Sequence, residues 1–233
     1  MSLTHQFFFG IYPYIAMVVF LLGSLVRFDR DQYTWRSESS QMLSTGLLRA
    51  GSNLFHLGII GLLCGHFFGM LTPPELVHAL GVTPSQKQLL AVVAGGILGS
   101  LGLVGLSLLV ARRLGDERVR ATSKPRDFLV LFWILGTLML GLSTIPLSIE
   151  HRDGATMLKL MAWAQHIVTF RGDAASLIAD VSPVFKVHMV AGMTVFVLFP
   201  FTRLVHVWSG FASAAYVLRP WQVVRSRRIG LPR

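Results

Sequence analysis

Four histidines lie inside two long apolar stretches of the 233-residue chain, and histidine is the residue type that most readily binds metals and moves protons near neutral pH. His56 and His66 belong to one stretch, and His188 and His206 belong to another. An ionisable side chain inside a membrane is costly, so each of them marks a candidate functional site. The alternative is a purely structural role, in which each imidazole bonds to a backbone carbonyl or to a hydroxyl.

The composition indicates that a membrane surrounds these residues. Hydrophobic residues make up 53% of the chain and charged residues only 14%, with a mean hydropathy of +0.60, whereas a soluble domain carries about 25% charged residues. Such values exclude a disordered chain. The single Cys64 excludes a disulfide scaffold, and no Cys-x-x-Cys-His motif for covalent haem is present. The net charge of +10 comes in blocks between apolar runs, which argues against a nucleic-acid-binding face.

Five stretches have the length of about 20 apolar residues that a bilayer-crossing helix needs. Their approximate bounds are 7–26, 47–71, 89–111, 128–149 and 187–208. The sequence therefore predicts an all-α integral membrane protein, a bundle of five transmembrane helices in one domain over 1–208, followed by a basic cytoplasmic tail over 209–233. The segment 150–186 is too polar to span, and its partly helical apolar pattern predicts a helix that lies over the outer face of the bundle.

Lysine and arginine are distributed unevenly between the two sides of the predicted bundle. Of the 21 such residues, 16 lie in 27–49, in 111–126 and from Arg203 onwards, and five lie on the other side. Positively charged connections stay in the cytoplasm. The distribution therefore predicts the N-terminus outside and the C-terminus inside.

With this topology the four histidines form two pairs at two depths. His66 meets His188 nearer the outer face, and His56 meets His206 nearer the inner face. At the rise of an α-helix, His56 and His66 are about 15 Å apart, whereas His188 and His206 are about 27 Å apart. Helix tilt has to absorb this difference. Eighteen residues make five helical turns, so His188 and His206 share one face of a continuous helix.

Two imidazoles from facing helices at one depth can fill both axial positions of a haem iron. A zinc site needs three or four ligands that converge on one point, and these four residues lie too far apart for that. A proton relay needs acidic partners, which the predicted spans almost lack. The pattern favours two haems, each with both axial positions filled by histidine, and a proton relay or four separate structural histidines remain the alternatives.

Glycines accompany the histidines in the second predicted span and continue in the third. They predict one of two arrangements equally well: close packing of the helices around a large planar ligand, or close packing of one helix against another. The aromatic side chains beside the histidines fit either a bound ring or lipid-facing space. These residues are Gly58, Gly61, Gly65 and Gly69, then Gly95, Gly96, Gly99, Gly102 and Gly105, and Phe55, Phe67 and Phe68.

Over nearly its whole length the sequence is similar to the gamma, cytochrome b subunit of respiratory nitrate reductase. The similar stretches are FFFGIYPYIA, QYTWRSESSQML, SNLFHLGIIGLLCGHFFGMLTP, RRLGDERVRATSKPRD, LGLSTIPLS, KLMAWAQHIVTF and FPFTRLVHVWS. The resemblance implies five spans, an outer N-terminus and two b-type haems. The outer haem would be bound by His66 and His188, and the inner haem by His56 and His206.

The resemblance also implies a quinol site formed by Lys87, Gly65 and His66 beside the outer haem. Lys87 is the only lysine or arginine in its connection, and without the resemblance an interfacial lysine is the favoured interpretation. The implied function is quinol oxidation at the outer side, with electrons passing through both haems to a cytoplasmic iron–sulfur beta subunit and a molybdenum-containing alpha subunit. The membrane would be the bacterial or archaeal inner membrane.

Nitrate chemistry is not expected in this chain, because it has no iron–sulfur cysteine motif. The chain is thus predicted to be the electron-transfer subunit of a quinol-dependent nitrate reductase. The basic inner loops and the tail fit either docking of a partner or a role in topology alone; the arginines of the tail include Arg219, Arg225, Arg227 and Arg228. Alternatives are a di-haem membrane anchor of another quinone-linked oxidoreductase, or a haem-free transporter, which internal repeats would indicate.

Overall fold

The computed structural model describes residues 2–31, 46–150 and 153–210, and in those residues it contains helices and no strand. The helices are α1 (Leu3–Arg30), α2 (Gly46–Leu71), α3 (Pro74–Ala79), α4 (Pro84–Gly115), α5 (Glu117–Ala121), α6 (Pro125–Glu150), α7 (Ala155–Val168), α8 (Ala174–Leu177) and α9 (Pro183–Leu198). Five of them, α1, α2, α4, α6 and α9, are long and apolar enough to cross a bilayer. The predicted all-α membrane bundle with five spans is therefore confirmed.

Contacts between the ends of the helices define two sides of this bundle. On the side called here the N-terminal side, the imidazole of His5 donates to the carbonyl of Ala175 at 2.8 Å. On the opposite side, called the basic side, Arg27 donates to the carbonyl of Pro200 at 2.7 Å. Successive long helices run in opposite directions between the two sides.

α2 and α4 approach each other closely enough for their backbones to touch. A Cβ on Gly58 would collide with the backbone of Gly102, and a Cβ on Gly105 would collide with the backbone of Phe55. Small residues permit this approach in membranes, where van der Waals packing drives helix association. The crossing fixes the register of α2, which carries His56 and His66, against α4.

The predicted glycine flank of α2 divides into two parts. Gly58 and Gly61 face α4, and a Cβ on Gly61 would lie 2.8 Å from the side chain of Leu98. For these two glycines the helix-packing alternative is correct and packing around a ligand is wrong. Gly65 and Gly69 differ, because a Cβ on either would meet nothing within 4 Å.

α7 lies across the N-terminal side, where the apolar pattern of 150–186 predicts a helix. It is attached to α1 at a π-helical turn, Phe7–Ile11. Pro13 has no N–H to donate to the carbonyl of Phe9. The indole N–H of Trp163 on α7 donates to that carbonyl instead, at 2.9 Å.

The last predicted span is not one continuous helix. α9 ends at Leu198, and two short 3₁₀ turns separate it from helical residues 206–210. The cause is Pro200, because proline cannot donate in the helical hydrogen-bond ladder and its ring clashes with the preceding turn. The continuous helix over 187–208 is therefore wrong, and the 27 Å separation and the shared face of His188 and His206 no longer follow from it.

The predicted basic tail falls almost wholly outside the described residues, as do Arg36 and the QYTWRSESSQML stretch. The boundary between a domain over 1–208 and a tail over 209–233 stays a prediction.

Candidate functional site

The four membrane histidines form two pairs, each of which joins α2 to α9 or to the chain that follows it. The ring centroids of His66 and His188 lie 6.1 Å apart, with an angle of 50° between the ring planes. Those of His56 and His206 lie 6.2 Å apart, with an angle of 76°. The structure thus brings together the same residues that the topology pairs, one pair towards each side of the bundle.

These separations leave room for one metal ion between the rings of each pair. A histidine nitrogen binds a first-row metal at about 2 Å, so two imidazoles on opposite sides of one ion have centroids roughly 6 Å apart. In the described part of the chain, no three His, Cys, Asp or Glu side chains are grouped so that they could hold a metal ion. Two-ligand sites fit a haem iron better than zinc.

In the two histidines of α2, hydrogen bonds determine which ring nitrogen faces the partner histidine. Nδ1 of His56 donates to the carbonyl of Ser52 at 2.7 Å, and Nδ1 of His66 donates to the carbonyl of Leu62 at 2.7 Å. Because a carbonyl only accepts, Nδ1 carries the hydrogen in both residues and Nε2 keeps a free lone pair. Metal-binding histidines are commonly oriented through such a bond.

The partner histidines have related but unequal surroundings. Nδ1 of His206 donates to the carbonyl of Arg203 at 2.6 Å. Nδ1 of His188 is buried without a hydrogen-bond partner in the described residues, and the imidazole lies near the backbone of Thr137 on α6. Within those residues no hydrogen bond reaches Nε2 of any of the four. A purely structural role accounts for Nδ1 in three rings and leaves the four Nε2 atoms unexplained.

A gap separates the two helices that carry the histidines. The closely packed pairs of long helices in the described residues are α2 with α4, α4 with α6, α6 with α9 and α9 with α1, and α2 with α9 is not among them. His66 is exposed, and a Cβ on neighbouring Gly65 or on Gly192, one turn after His188, would meet nothing within 4 Å. The space beside the pair suits a large planar group.

His188 rests against α6. A Cβ on Gly141 would lie 2.9 Å from Cε1 of the imidazole, so glycine is what leaves room for the ring. The indole N–H of Trp133 donates to the carbonyl of Ala191 at 3.0 Å and ties α9 to the same helix. α6 therefore supports one ligand of the first pair.

A buried carboxylate anchors the chain just before His206. Asp127 at the start of α6 is 4% exposed, with its oxygens 3.3 Å from Arg113 Nη1 on α4 and 3.2 Å from Arg203 Nε. The backbone N–H of Lys124 donates to it at 3.0 Å. This cluster joins α4, α6 and the segment after α9 on the basic side.

Lys87 lies in the first turn of α4, on the N-terminal side. Its Nζ is buried and has no hydrogen-bond partner among the residues that the structure describes. The α2–α4 register, with Gly58 opposite Gly102, places the backbone of Lys87 about 10 Å beyond that of His66 along the bundle axis. A buried ammonium without a partner is suited to a polar ligand atom, because leaving it unpaired is costly.

Sequence reasoning missed three residues that shape the histidine pairs. Gly141 carried no signal among so many glycines, and Asp127 was not singled out. Arg27 was counted only as one of the charges that orient the first span. Pro200 was a visible signal for the break after α9, since a proline inside a helical pattern ends or kinks the helix.

Comparisons with known proteins match residues 5–227 to the family model described as nitrate reductase gamma subunit. The chain is 53% identical to the respiratory nitrate reductase 2 gamma chain of Escherichia coli, over 95% of this chain and 97% of the relative. It is 49% identical to the respiratory nitrate reductase 1 gamma chain of the same organism, over 97% and 100%. It is 38% identical to the nitrate reductase gamma chain of Bacillus subtilis, over 97% and 100%.

Proposed function

The chain belongs to the nitrate reductase gamma subunit family, as its resemblance predicted, and we propose that it oxidises quinol on the N-terminal side and delivers the electrons to a partner on the basic side through two b-type haems. The family makes it a multi-pass membrane cytochrome b anchor within a larger oxidoreductase complex. The observation that carries the finer proposal is the presence of two histidine pairs with ring centroids 6.1 and 6.2 Å apart.

In this proposal His66 and His188 hold one haem, and His56 and His206 hold the other. The bound haems supply one-electron chemistry at iron. The protein orients each imidazole, and the Nδ1 bonds to backbone carbonyls raise the basicity of Nε2. Leu62, which lies between His56 and His66 on α2, packs against an apolar cluster that includes Leu106 and Ile134.

The quinol site is formed by Lys87, Gly65 and His66 on the N-terminal side. The buried Lys87 ammonium donates a hydrogen bond to a quinol oxygen and stabilises the negative charge that develops there as a proton leaves. Gly65 has no side chain, so the ring of the quinol can approach the wall that carries His66. The protons released by oxidation leave on this side.

We assign the N-terminal side to the outside of the bacterial or archaeal inner membrane and the basic side to the cytoplasm, because ten of the 14 lysines and arginines in the described residues lie towards the basic side. Electrons that move inward while protons leave outward separate charge, at a cost of about 2.3 kcal/mol per charge per 100 mV. The redox reaction of the complex supplies this energy.

The partners in this proposal are an iron–sulfur beta subunit and a molybdenum-containing alpha subunit on the cytoplasmic side. A chain with one cysteine cannot supply the four thiolates of a cluster. The basic side is the surface from which electrons would leave, because the His56–His206 pair is the one nearer to it.

A haem-free transporter is the alternative from another functional class. Broken helices in transporters lie near the bilayer midplane, whereas the break after α9 lies at the basic end and is followed at once by His206. The deciding experiment is a reduced-minus-oxidised optical spectrum of the purified chain with a haem assay. Two b-type haems per chain are expected, and a preparation without b-type absorption would refute the proposal.

A further inference from the structure

An arginine of α1 donates hydrogen bonds to the break between α9 and His206. The break contains two 3₁₀ turns, Phe199–Phe201 and Arg203–Val205. Nη1 of Arg27 donates to the carbonyl of Pro200 at 2.7 Å and to the carbonyl of Thr202 at 2.7 Å. Carbonyls at a helix end lose their helical donors, and this one nitrogen supplies two hydrogen bonds to carbonyls of the break.

The same face of α1 is shaped to receive the break. A Cβ on Gly23 would lie 2.8 Å from the ring of Pro200, so glycine permits the contact. One residue later, the hydroxyl of Ser24 accepts from the indole N–H of Trp208 at 3.3 Å. Gly23 and Arg27 are four residues apart and hence neighbours on one helix face. α1 thus contacts the chain both before and after His206.

A series of hydrogen bonds connects Arg27 to His206 through Thr202 and Arg203. The hydroxyl of Thr202, which is 1% exposed, accepts from the backbone N–H of Leu204 at 3.4 Å and begins the second turn. The carbonyl of Arg203 within that turn accepts from Nδ1 of His206 at 2.6 Å. A shift of the Pro200–Thr202 backbone would therefore move the second turn, Arg203–Val205, and rotate the imidazole of His206.

We propose that Arg27 is a positioning residue for His206: it holds the break in the geometry in which His206 faces His56. The inference rests on the proposed function, in which this pair holds the haem nearer the basic side. This role differs from that of an arginine that only orients α1 in the membrane, because loss of Arg27 is expected to affect one of the two haems and not the other.

The test compares three variants of the full chain in its complex. Arg27→Met removes the donors and the charge but keeps much of the side-chain length. Arg27→Lys keeps a single nitrogen that can donate to both carbonyls. Arg30→Met is the matched control, because Arg30 is an exposed arginine in the same last turn of α1. The measurements are haem per chain, the low-temperature optical spectrum and the electron paramagnetic resonance of each low-spin haem.

Arg27→Met is expected to bind the haem of the His56–His206 pair about 10–100-fold more weakly, the usual effect of removing a support behind a ligand. The haem of the His66–His188 pair keeps its signals, and Arg27→Lys and Arg30→Met resemble the wild type. Unchanged signals in Arg27→Met, equal loss of both haems, or a lysine variant as defective as the methionine variant would each overturn the inference.

If Arg27→Met does not accumulate in membranes, Gly23→Ala decides, because it keeps the charge and presses on Pro200 from the same face. Selective weakening of the same haem supports the inference, and unchanged signals overturn it. A wild-type complex without two b-type haems would instead refute the proposed function, so the two failures are distinguishable.

Discussion

The imidazole of His188 lies against the backbone of Gly141, where a Cβ would come within 2.9 Å of the ring. Gly141→Ala is therefore expected to displace His188 and to disturb the haem of the His66–His188 pair alone. We expect about tenfold weaker retention of that haem, in line with other supports of metal ligands. Haem per chain and the optical spectrum measure this effect.

The matched control for Gly141 is Gly136→Ala, because Gly136 lies on the same helix and a Cβ there would meet nothing within 4 Å. That variant should keep both haems unchanged. Equal behaviour of the two alanine variants would show that Gly141 does not support His188.

Replacing Lys87 with alanine removes the buried ammonium that has no partner in the described residues. A hydrogen bond to a charged group contributes about 1.5–3 kcal/mol, so kcat/KM for quinol should fall roughly 10- to 100-fold. Both haems should remain, because Lys87 is not one of the four proposed ligands. The measurement is the rate of haem reduction by quinol in the purified complex.

The control for Lys87 is Lys159→Ala, on the same side of the bundle. Lys159 is half-exposed and pairs with Asp180, so its loss should leave quinol oxidation close to that of the wild type. Unchanged turnover in Lys87→Ala would return this lysine to an interfacial role. A loss of haem in that variant would equally contradict the assignment.

Asp127→Asn is expected to destabilise the protein by about 3–5 kcal/mol, because it leaves the buried guanidinium of Arg113 and the partly buried one of Arg203 without their carboxylate. Arg113 and Arg203 both lie within 3.3 Å of this side chain. Thermal unfolding of the purified protein, followed by haem absorbance, measures the loss. The haem of the His56–His206 pair should be released first, since Arg203 lies three residues before His206.

Asp180→Asn is the comparison for Asp127→Asn, because Asp180 also forms an ion pair, with Lys159, but its side chain is 67% exposed. An exposed pair contributes little to stability, so this variant should unfold close to the wild type. The hydrogen bond from Lys159 holds the pKa of Asp180 below its usual value. Whatever this pair adds is therefore present at neutral pH and fades only as pH falls through that lowered pKa. Equal stability of the Asp127 and Asp180 variants would contradict the anchoring role of Asp127.

The fold and the histidine pairs could be predicted because both follow from the length of the apolar stretches, the distribution of positive charge between them and the alternating direction of successive spans. Apolar stretches of bilayer length predict spans, and because the second and fifth spans run in opposite directions, His66 comes to the level of His188. This inference needs only the order of the residues along antiparallel helices. It does not need the helices to touch.

What could not be predicted depends on packing between distant residues. The sequence reasoning treated 187–208 as one helix, whereas Pro200 interrupts it and Arg27 holds the interrupted chain. The space that Gly141 leaves for His188 depends on the rotation of α6, which no local pattern encodes. Glycine patterns predicted close packing but did not distinguish the α4-facing Gly58 from the open Gly65.

Haem stoichiometry and the optical spectrum of the four single histidine variants, measured on the assembled complex, test the proposed pairing most directly. His66→Ala and His188→Ala should each leave one haem per chain with the same spectrum. His56→Ala and His206→Ala should each leave the other haem. Two haems in any of these variants, or loss of the same haem on replacing His56 and His66, would contradict the proposal.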